Sequence, residues 1–305
     1  MLKDERILIT GPTGQVARPL ALALARQNEV WGIARFRNPS ARQGLEDAGV
    51  HCLAVDLCAG DLRELPSDFS YVLNFGVVKT NAFDTDLSGN VEALGFLMHH
   101  CRSARAFLHC SSTAVYEPNG HEPLKESDRL GDNHKAFGFM PTYSICKIAA
   151  EAMARYGARQ HDLPTVIARL SVPYGDAGGW PLFHLEMMRR GHPIPVHTNA
   201  PSLYNPIHDD DILAQVPKLL AAASVPATIV NWAGRDAVSI EEWCAYMGEL
   251  TGLEPKFQPT ASTIESVRAD TTRMRELIGE TGVGWRDGLR RMIEARHPGL
   301  IQSRS

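Results

Sequence analysis

The chain has 305 residues, 44% of them apolar and 22% charged, the balance of an ordinary globular protein. Its net charge of −4, from 31 basic and 35 acidic side chains, gives no basic surface for nucleic acid or an anionic membrane. No apolar stretch reaches the length of a spanning helix, and the six scattered cysteines (Cys52, Cys58, Cys101, Cys110, Cys146 and Cys244) form no C-x-x-C pair. Reduced thiols and an N-terminus without a signal-peptide pattern lead to the expectation of a cytoplasmic protein.

In chain order, short apolar runs alternate with longer amphipathic ones. Ile7–Thr10, Val30–Ala34, Cys52–Val55, Tyr71–Phe75, Ala106–Cys110 and Thr165–Arg169 read as strands, rich enough in Val, Ile, Leu and Phe to be buried on both faces. Between them, "GQVARPLALALARQ" and "NVEALGFLMHHCRS" carry apolar residues at helical spacing, and Pro19 falls early enough in the first of these to be tolerated. The alternation predicts an α/β fold, a doubly wound parallel sheet of the Rossmann type with a smaller C-terminal substrate-binding lobe. Residues 1–170, joined by part of 205–234, are expected to form the cofactor domain, and 171–204 with 235–305 the smaller lobe. "PYGDAGGWP" reads as a loop, and "YNPIHDDDILAQVPKLLAAA" as a short strand followed by a helix. "SIEEWCAYMGEL", "DTTRMRELIG" and "GWRDGLRRMIEA" read as further helices.

The first strand runs into "TGPTGQVA", which sets Gly11, Gly14 and Ala17 at a strand-to-helix turn. Glycines there let the backbone turn tightly and approach a pyrophosphate, and the helix N-terminus stabilises the anion. Thr13, Gln15 and Val16 complete the turn as candidate cofactor contacts. The second strand ends in "GIARFRNPS", where a cofactor without a 2′-phosphate usually meets a carboxylate. Arg35 and Arg37 stand there instead, and guanidinium groups fork onto phosphate, so NADP(H) is favoured with NAD(H) as the other choice. Asp56 in "LAVDL", beside Leu57, is placed either to meet an adenine amino group or to cap a turn.

These residues add up to a resemblance. The chain is similar, over most of its length, to the extended short-chain dehydrogenase/reductases, the group that includes nucleotide-sugar epimerases and dehydratases. "TGPTGQVA" resembles the family's cofactor turn. "VLNFGVVKTN" resembles the segment after its fourth strand, with Phe75, Gly76 and Lys79; the counterpart of Lys79 in UDP-galactose 4-epimerase lies near the cofactor. "HCSSTAVYE" resembles its serine segment, "YSICK" its Y-x-x-x-K motif, and "ARLSVPYG" and "PIHDDDI" its later landmarks. The resemblance implies Ser112 as the catalytic hydroxyl, with Thr113 beside it, Tyr143 and Lys147 as the acid/base pair, and a homodimer formed through the Tyr143 helix. It also puts Arg35 at the position that discriminates between cofactors.

Tyr143 and Lys147 share a helix face, and an ammonium beside a phenol favours phenolate. The phenol then transfers the proton, Lys147 tunes it and holds the nicotinamide ribose, and Ser112 orients the reacting oxygen. Two departures bear on substrate. The Asn of R-x-x-N-V-Y-G is replaced by Val172, and the Arg expected before "PIHDDDI" is missing from "SLYNP", although Arg268 resembles a late family arginine. Phe137, Phe139, Met140, Trp180, Leu182 and Phe183 either line an apolar pocket or pack the lobes. "HDDD" reads as a helix start rather than a metal site. The sequence is therefore read as an NADP(H)-dependent oxidoreductase, reducing a ketone or oxidising a secondary alcohol on a small non-nucleotide substrate. The alternatives are a nucleotide-sugar epimerase or dehydratase with tightly bound NAD(P), and a non-catalytic NADP-binding regulator.

Overall fold

Residues 2–302 are described by a computed structural model. The apolar runs form β1 (Arg6–Thr10), β2 (Glu29–Ala34), β3 (Val50–Ala54), β4 (Tyr71–Asn74), β5 (Ala106–Ser112) and β6 (Thr165–Leu170). With a last strand, Thr228–Trp232, they make one seven-stranded sheet in the order last-β6-β5-β4-β1-β2-β3. The pairings from β3 across to β5 are all parallel. Ile7, Leu8, Ile9, Val72, Leu73, Phe107, Leu108, Val166 and Ile167 are fully buried, as strands covered on both faces require. The chain builds outward from β1 to β3, then returns to β4 on the other side of β1. That reversal opens a crevice at the carboxyl ends of β1 and β4, where open α/β sheets bind ligands.

The first five helices are α1 (Ala17–Leu24), α2 (Pro39–Glu46), α3 (Phe83–Leu87), α4 (Ala93–His100) and α5 (Tyr143–His161). In α1 the buried residues are Ala17, Leu20, Ala21 and Leu24, the i, i+3, i+4, i+7 stripe of a helix lying on a sheet. A wide turn, Ser88–Glu92, joins α3 to α4. Two glycines let α4 and α5 pack closely: a Cβ at Gly157 would come within 2.6 Å of the Met98 sulfur, and one at Gly95 within 3.1 Å of the Met153 sulfur. The buried faces of both helices join Leu8, Phe69, Val72, Phe107 and Ile167 in one apolar core.

The chain divides into two compact units. One comprises Met1–Ser112, Thr142–Arg169 and Leu213–Val230; the other comprises Thr113–Pro141, Leu170–Ile212 and Asn231–Ser305. The second unit contains α6 (Trp180–Arg189), the first turn of α7 (Asp209–Ala221), and α8 (Ile240–Thr251). A reciprocal pair opens α8: the Ser239 hydroxyl accepts from the Glu242 N–H, and the Glu242 carboxylate accepts from the Ser239 N–H. Trp180, His184, Tyr204 and Trp243 stack together in this unit. Trp243 Nε1 donates to His184 Nδ1 at 3.0 Å, and burial pushes the imidazole down to about 3, so it is neutral. Trp180 is thus a packing residue of this unit, whereas Phe139 and Phe183 are exposed. "PYGDAGGWP" is more ordered than a loop. Pro173–Gly175 and Gly178–Gly179 pair as a tight antiparallel turn, which Gly178 (φ 118°) and Gly179 (φ 136°) permit, and α6 begins at once with Trp180. Among the described residues, no helix is long and apolar enough to cross a membrane.

Candidate active site

The glycine turn lies at the switch point between β1 and β4. Gly11 has φ +65°, and a Cβ on it would sit 2.9 Å from the Gly76 Cα, so the two loops touch through glycine backbone. The Thr10 hydroxyl locks this contact: it donates to Asn74 Oδ1 (2.7 Å) and accepts from the Gly76 N–H (2.7 Å). Asn74 in turn donates to His109 Nδ1 at 3.0 Å, tying β1, β4 and β5 together beneath the crevice. Burial, with the charge of Lys147 nearby, takes His109 down to about 3, so this link is uncharged. Thr13, Gly14 and Gln15 are exposed on the turn, and Val16 enters α1 without a side-chain cap. Within the turn the Gly14 N–H donates to the Gly11 carbonyl and the Arg18 N–H to the Gly14 carbonyl, both at 2.9 Å, so α1 starts directly from this small-residue loop. Phe75 and Leu57 are half-buried beside it, and Leu57 Cδ1 would lie 3.4 Å from a Cβ on Gly76.

Tyr143 is the first residue of α5, and Lys147 lies one turn later on the same face. Lys147 is buried and donates to the Cys110 carbonyl at 2.7 Å, leaving further ammonium N–H for a bound group. The next residue at that spacing is Glu151, also buried, which accepts from Ser111 Oγ (2.6 Å) and from Arg169 through Nε (2.9 Å) and a second guanidinium nitrogen (2.8 Å). Two bonds thus fasten α5 to the end of β5, at Cys110 and Ser111, the two residues that precede Ser112. Ser111 commits its hydroxyl to Glu151; Ser112 is half-buried at the strand end and Thr113 is buried.

A second ammonium approaches the phenol. Lys79 Nζ lies 5.3 Å from the Tyr143 ring centroid and Lys147 Nζ 5.8 Å from it. Asn90 holds the loop that carries Lys79, accepting from the Val78 N–H (2.9 Å) and donating to the Val78 carbonyl (2.8 Å). Two ammonium groups thus lie against the one Tyr143 ring.

The outer candidates are spread along the ends of β2 and β3. Arg35 and Arg37 are exposed, and Phe36 between them takes φ +45° with Arg42 over its ring at 5.4 Å. Asp56 caps the short turn Leu57–Ala59, accepting from the Cys58 N–H at 3.1 Å. "HDDD" opens α7, and Asp211 accepts from the N–H groups of Gly282 (2.6 Å) and Val283 (3.1 Å). Its neighbour Asp209 lies against Gly175, and its Oδ1 is buried without a hydrogen-bond partner. Burial, then the charges of Asp176 and Asp210, raise this carboxyl from 3.8 to about 7. The native state therefore binds this proton more tightly than the unfolded chain, and the contribution of this carboxyl to stability falls as pH rises from about 4 to about 7, then levels. Asp209→Asn is expected to stabilise the protein by roughly 2–4 kcal/mol at pH 8 and by nothing measurable near pH 4, as denaturant unfolding at the two pH values checks.

A model of the NAD dependent epimerase/dehydratase family matches residues 7–222, most of the chain. The chain belongs to this family. No curated protein sequence matches it significantly. Among solved structures, the epimerase/dehydratase fold recurs in UDP-glucuronic acid 4-epimerase from Bacillus cereus with UDP-glucuronic acid and NAD (19% identity, TM-score 0.80, covering 95% of this chain and 98% of that one). It recurs in UDP-N-acetylglucosamine 4-epimerase from Methanobrevibacter ruminantium M1 with UDP-N-acetylmuramic acid (17%, 0.82, 96% and 98%). It recurs also in a double mutant of the dTDP-glucose 4,6-dehydratase DesIV from Streptomyces venezuelae, with NAD and DAU bound (18%, 0.82, 96% and 97%). At these identities the likeness is one of fold.

Sequence reasoning passed over three buried charged residues around the candidate site. Glu151 continues the Tyr143–Lys147 spacing by one turn, and Arg169 is a charge inside an otherwise apolar strand. Both are signals of a buried ion pair. The third, Asp86, lies in "FDTDL", where nothing in the sequence separates it from a solvated acid.

Proposed function

We propose that this chain is a nicotinamide-dependent enzyme of the epimerase or dehydratase type, which oxidises a secondary alcohol carbon of a carbohydrate-like substrate and returns the hydride within one turnover. The observation that carries this reading is Tyr143 at the head of a doubly anchored helix with the Lys79 and Lys147 ammonium groups at its ring. Family membership supports it, as do the 4-epimerases and the 4,6-dehydratase that share the fold over nearly their whole lengths.

The residues present fit a dinucleotide. Gly11 and Gly76 make a floor that any Cβ would fill, and α1 begins at this turn, so its N-terminal dipole favours a pyrophosphate there. Lys147 and Lys79 supply donors for a ribose or phosphate oxygen. When bound, the nicotinamide supplies the hydride acceptor and donor. The rest falls to the protein: Ser112 hydrogen-bonds the substrate oxygen, the Tyr143 phenol exchanges its proton, and the two lysines stabilise the charge left on the phenol oxygen. A homodimer belongs to the same proposal, with Phe96 of α4 and Tyr156 of α5 exposed on the packed helix pair. The test is incubation of the protein and NAD with UDP-, dTDP- and GDP-sugars, followed by proton NMR. A C4-inverted or 4-keto-6-deoxy product supports the reading. Net conversion that consumes a stoichiometric dinucleotide opposes it.

A second reading, a net NADP(H)-dependent oxidoreductase on a small non-nucleotide substrate, is favoured by Arg35 and Arg37 at the end of β2 and by Val172 where sugar-nucleotide enzymes carry Asn. If Arg35 reads a 2′-phosphate, Arg35→Asp weakens NADPH binding by about tenfold or more and leaves NADH binding nearly unchanged, since it removes one charge-assisted fork. Tighter binding of NADH than NADPH by the unaltered protein would remove this second reading.

A further inference from the structure

We propose that Asp86 is a positioning residue of the active site, whose carboxylate ties the Lys79-bearing loop to the residue preceding Tyr143 and so sets Lys79 against the phenol. The inference deepens the function proposed above and rests on that reading.

Asp86 is 1% exposed, on the short helix α3. One carboxylate oxygen accepts from the Thr80 N–H and the Thr80 hydroxyl, both at 2.7 Å. The other accepts from the Asn81 N–H (3.1 Å) and the Thr142 hydroxyl (2.7 Å). Four donors thus occupy the four lone-pair sites of a carboxylate. Burial alone favours the acid form, but the hydrogen bonds from Thr142, Thr80 and Asn81 outweigh it, and the carboxyl is held below its usual range.

The sequence positions give this cluster its meaning. Thr80 follows Lys79 directly, and Thr142 directly precedes Tyr143. The carboxylate therefore bridges the nearest neighbours of the two groups whose separation, 5.3 Å from Nζ to ring centroid, the proposed chemistry uses. The loop is held at further points. Asn81 takes φ +66°, a left-handed conformation uncommon for a residue other than glycine, with its N–H on Asp86. Asn90 clasps Val78 on both sides and donates to the Asp86 carbonyl at 2.6 Å. Val78, Thr80 and Asn81 are thus each bonded to Asn90 or Asp86, and Lys79 leaves the backbone between them. A buried carboxylate is a costly device for loop packing alone, because its desolvation must be offset bond by bond. What it adds over an apolar contact is direction, which a site that positions a flexible lysine needs.

The test uses Thr142→Val, which removes one hydroxyl and keeps the side-chain shape, and Asp86→Asn as an independent variant. Dissociation constants for NADH and NADPH are measured by nicotinamide fluorescence for the unaltered protein, each variant, Lys79→Met, and Lys79→Met combined with Thr142→Val. Thr142→Val and Asp86→Asn are each expected to weaken the better-bound dinucleotide by about three- to tenfold, whereas Thr142→Val on the Lys79→Met background costs less than about 1.5-fold, the non-additivity of residues that act as one unit. Losses that multiply in full on the Lys79→Met background, or no loss in either single variant, would overturn the inference and leave the proposed function standing. An unaltered protein that binds neither dinucleotide would overturn both.

Discussion

Tyr143→Phe is expected to lower turnover by two to four orders of magnitude, the range about 10²–10⁴ that a positioned proton donor contributes, with dinucleotide affinity kept within about threefold. The substitution removes one oxygen and nothing else from the head of α5. The Lys147 bond to the Cys110 carbonyl, the Glu151 anchor and the ring itself, with Lys79 over it, all remain. Cofactor binding and stability are thus separated from chemistry in a single variant. Full turnover by the Phe variant, on any substrate found in the nucleotide-sugar panel, removes Tyr143 from the mechanism. Lost binding of both dinucleotides would instead assign Tyr143 a holding role.

Glu151→Ala is expected to destabilise the protein by about 3–5 kcal/mol, a large part of the stability of a typical domain. Glu151 and Arg169 are both 2% exposed, and the carboxylate is the guanidinium's bidentate partner. Removing the acid takes away the buried guanidinium's carboxylate and the acceptor of the Ser111 hydroxyl. Replacing the pair together, as Glu151→Leu with Arg169→Met, is expected to cost less than either single change, because no unpaired charge is left behind. Denaturant unfolding of the three variants checks the order. A Glu151→Ala loss below about 1 kcal/mol would mean that water reaches the pair. The same anchor has a functional side. It fixes α5 to β5 next to Ser112, so a folded Glu151→Gln variant tests whether the helix and the strand end move apart.

How much was legible in the sequence depended on whether the signal was local. The six strands read from apolar runs fall within two residues of those observed, because a strand covered on both faces leaves an uninterrupted apolar record. β3 begins at Val50 rather than Cys52, since His51 is exposed and breaks the run. The glycine turn and the Tyr143–Lys147 spacing were legible for the same reason: each is a short-range geometric demand. The ion pair of Glu151 with Arg169 joins residues 18 apart, and Asp86 meets Thr142 across 56, so only the folded chain makes them partners. Asp56 had two readings, and its carboxylate is seen in the capping role. Asp209 shows the converse limit. An acid in the first turn of a helix looks favourable in sequence, yet the absence of a Cβ at Gly175 lets it lie buried with one oxygen unpartnered. Substrate choice was the least legible, since missing anchors such as the Asn replaced by Val172 argue from what the chain lacks.

Equilibrium titration of the purified protein with NADH and NADPH, followed by nicotinamide fluorescence, tests the central claim most directly, because it needs no substrate. The account predicts saturable binding of at least one dinucleotide with a dissociation constant on the order of micromolar. It predicts that Gly11→Val abolishes that binding, since a side chain there meets the Gly76 backbone. Failure of the folded, unaltered protein to bind either dinucleotide at millimolar concentration would contradict it.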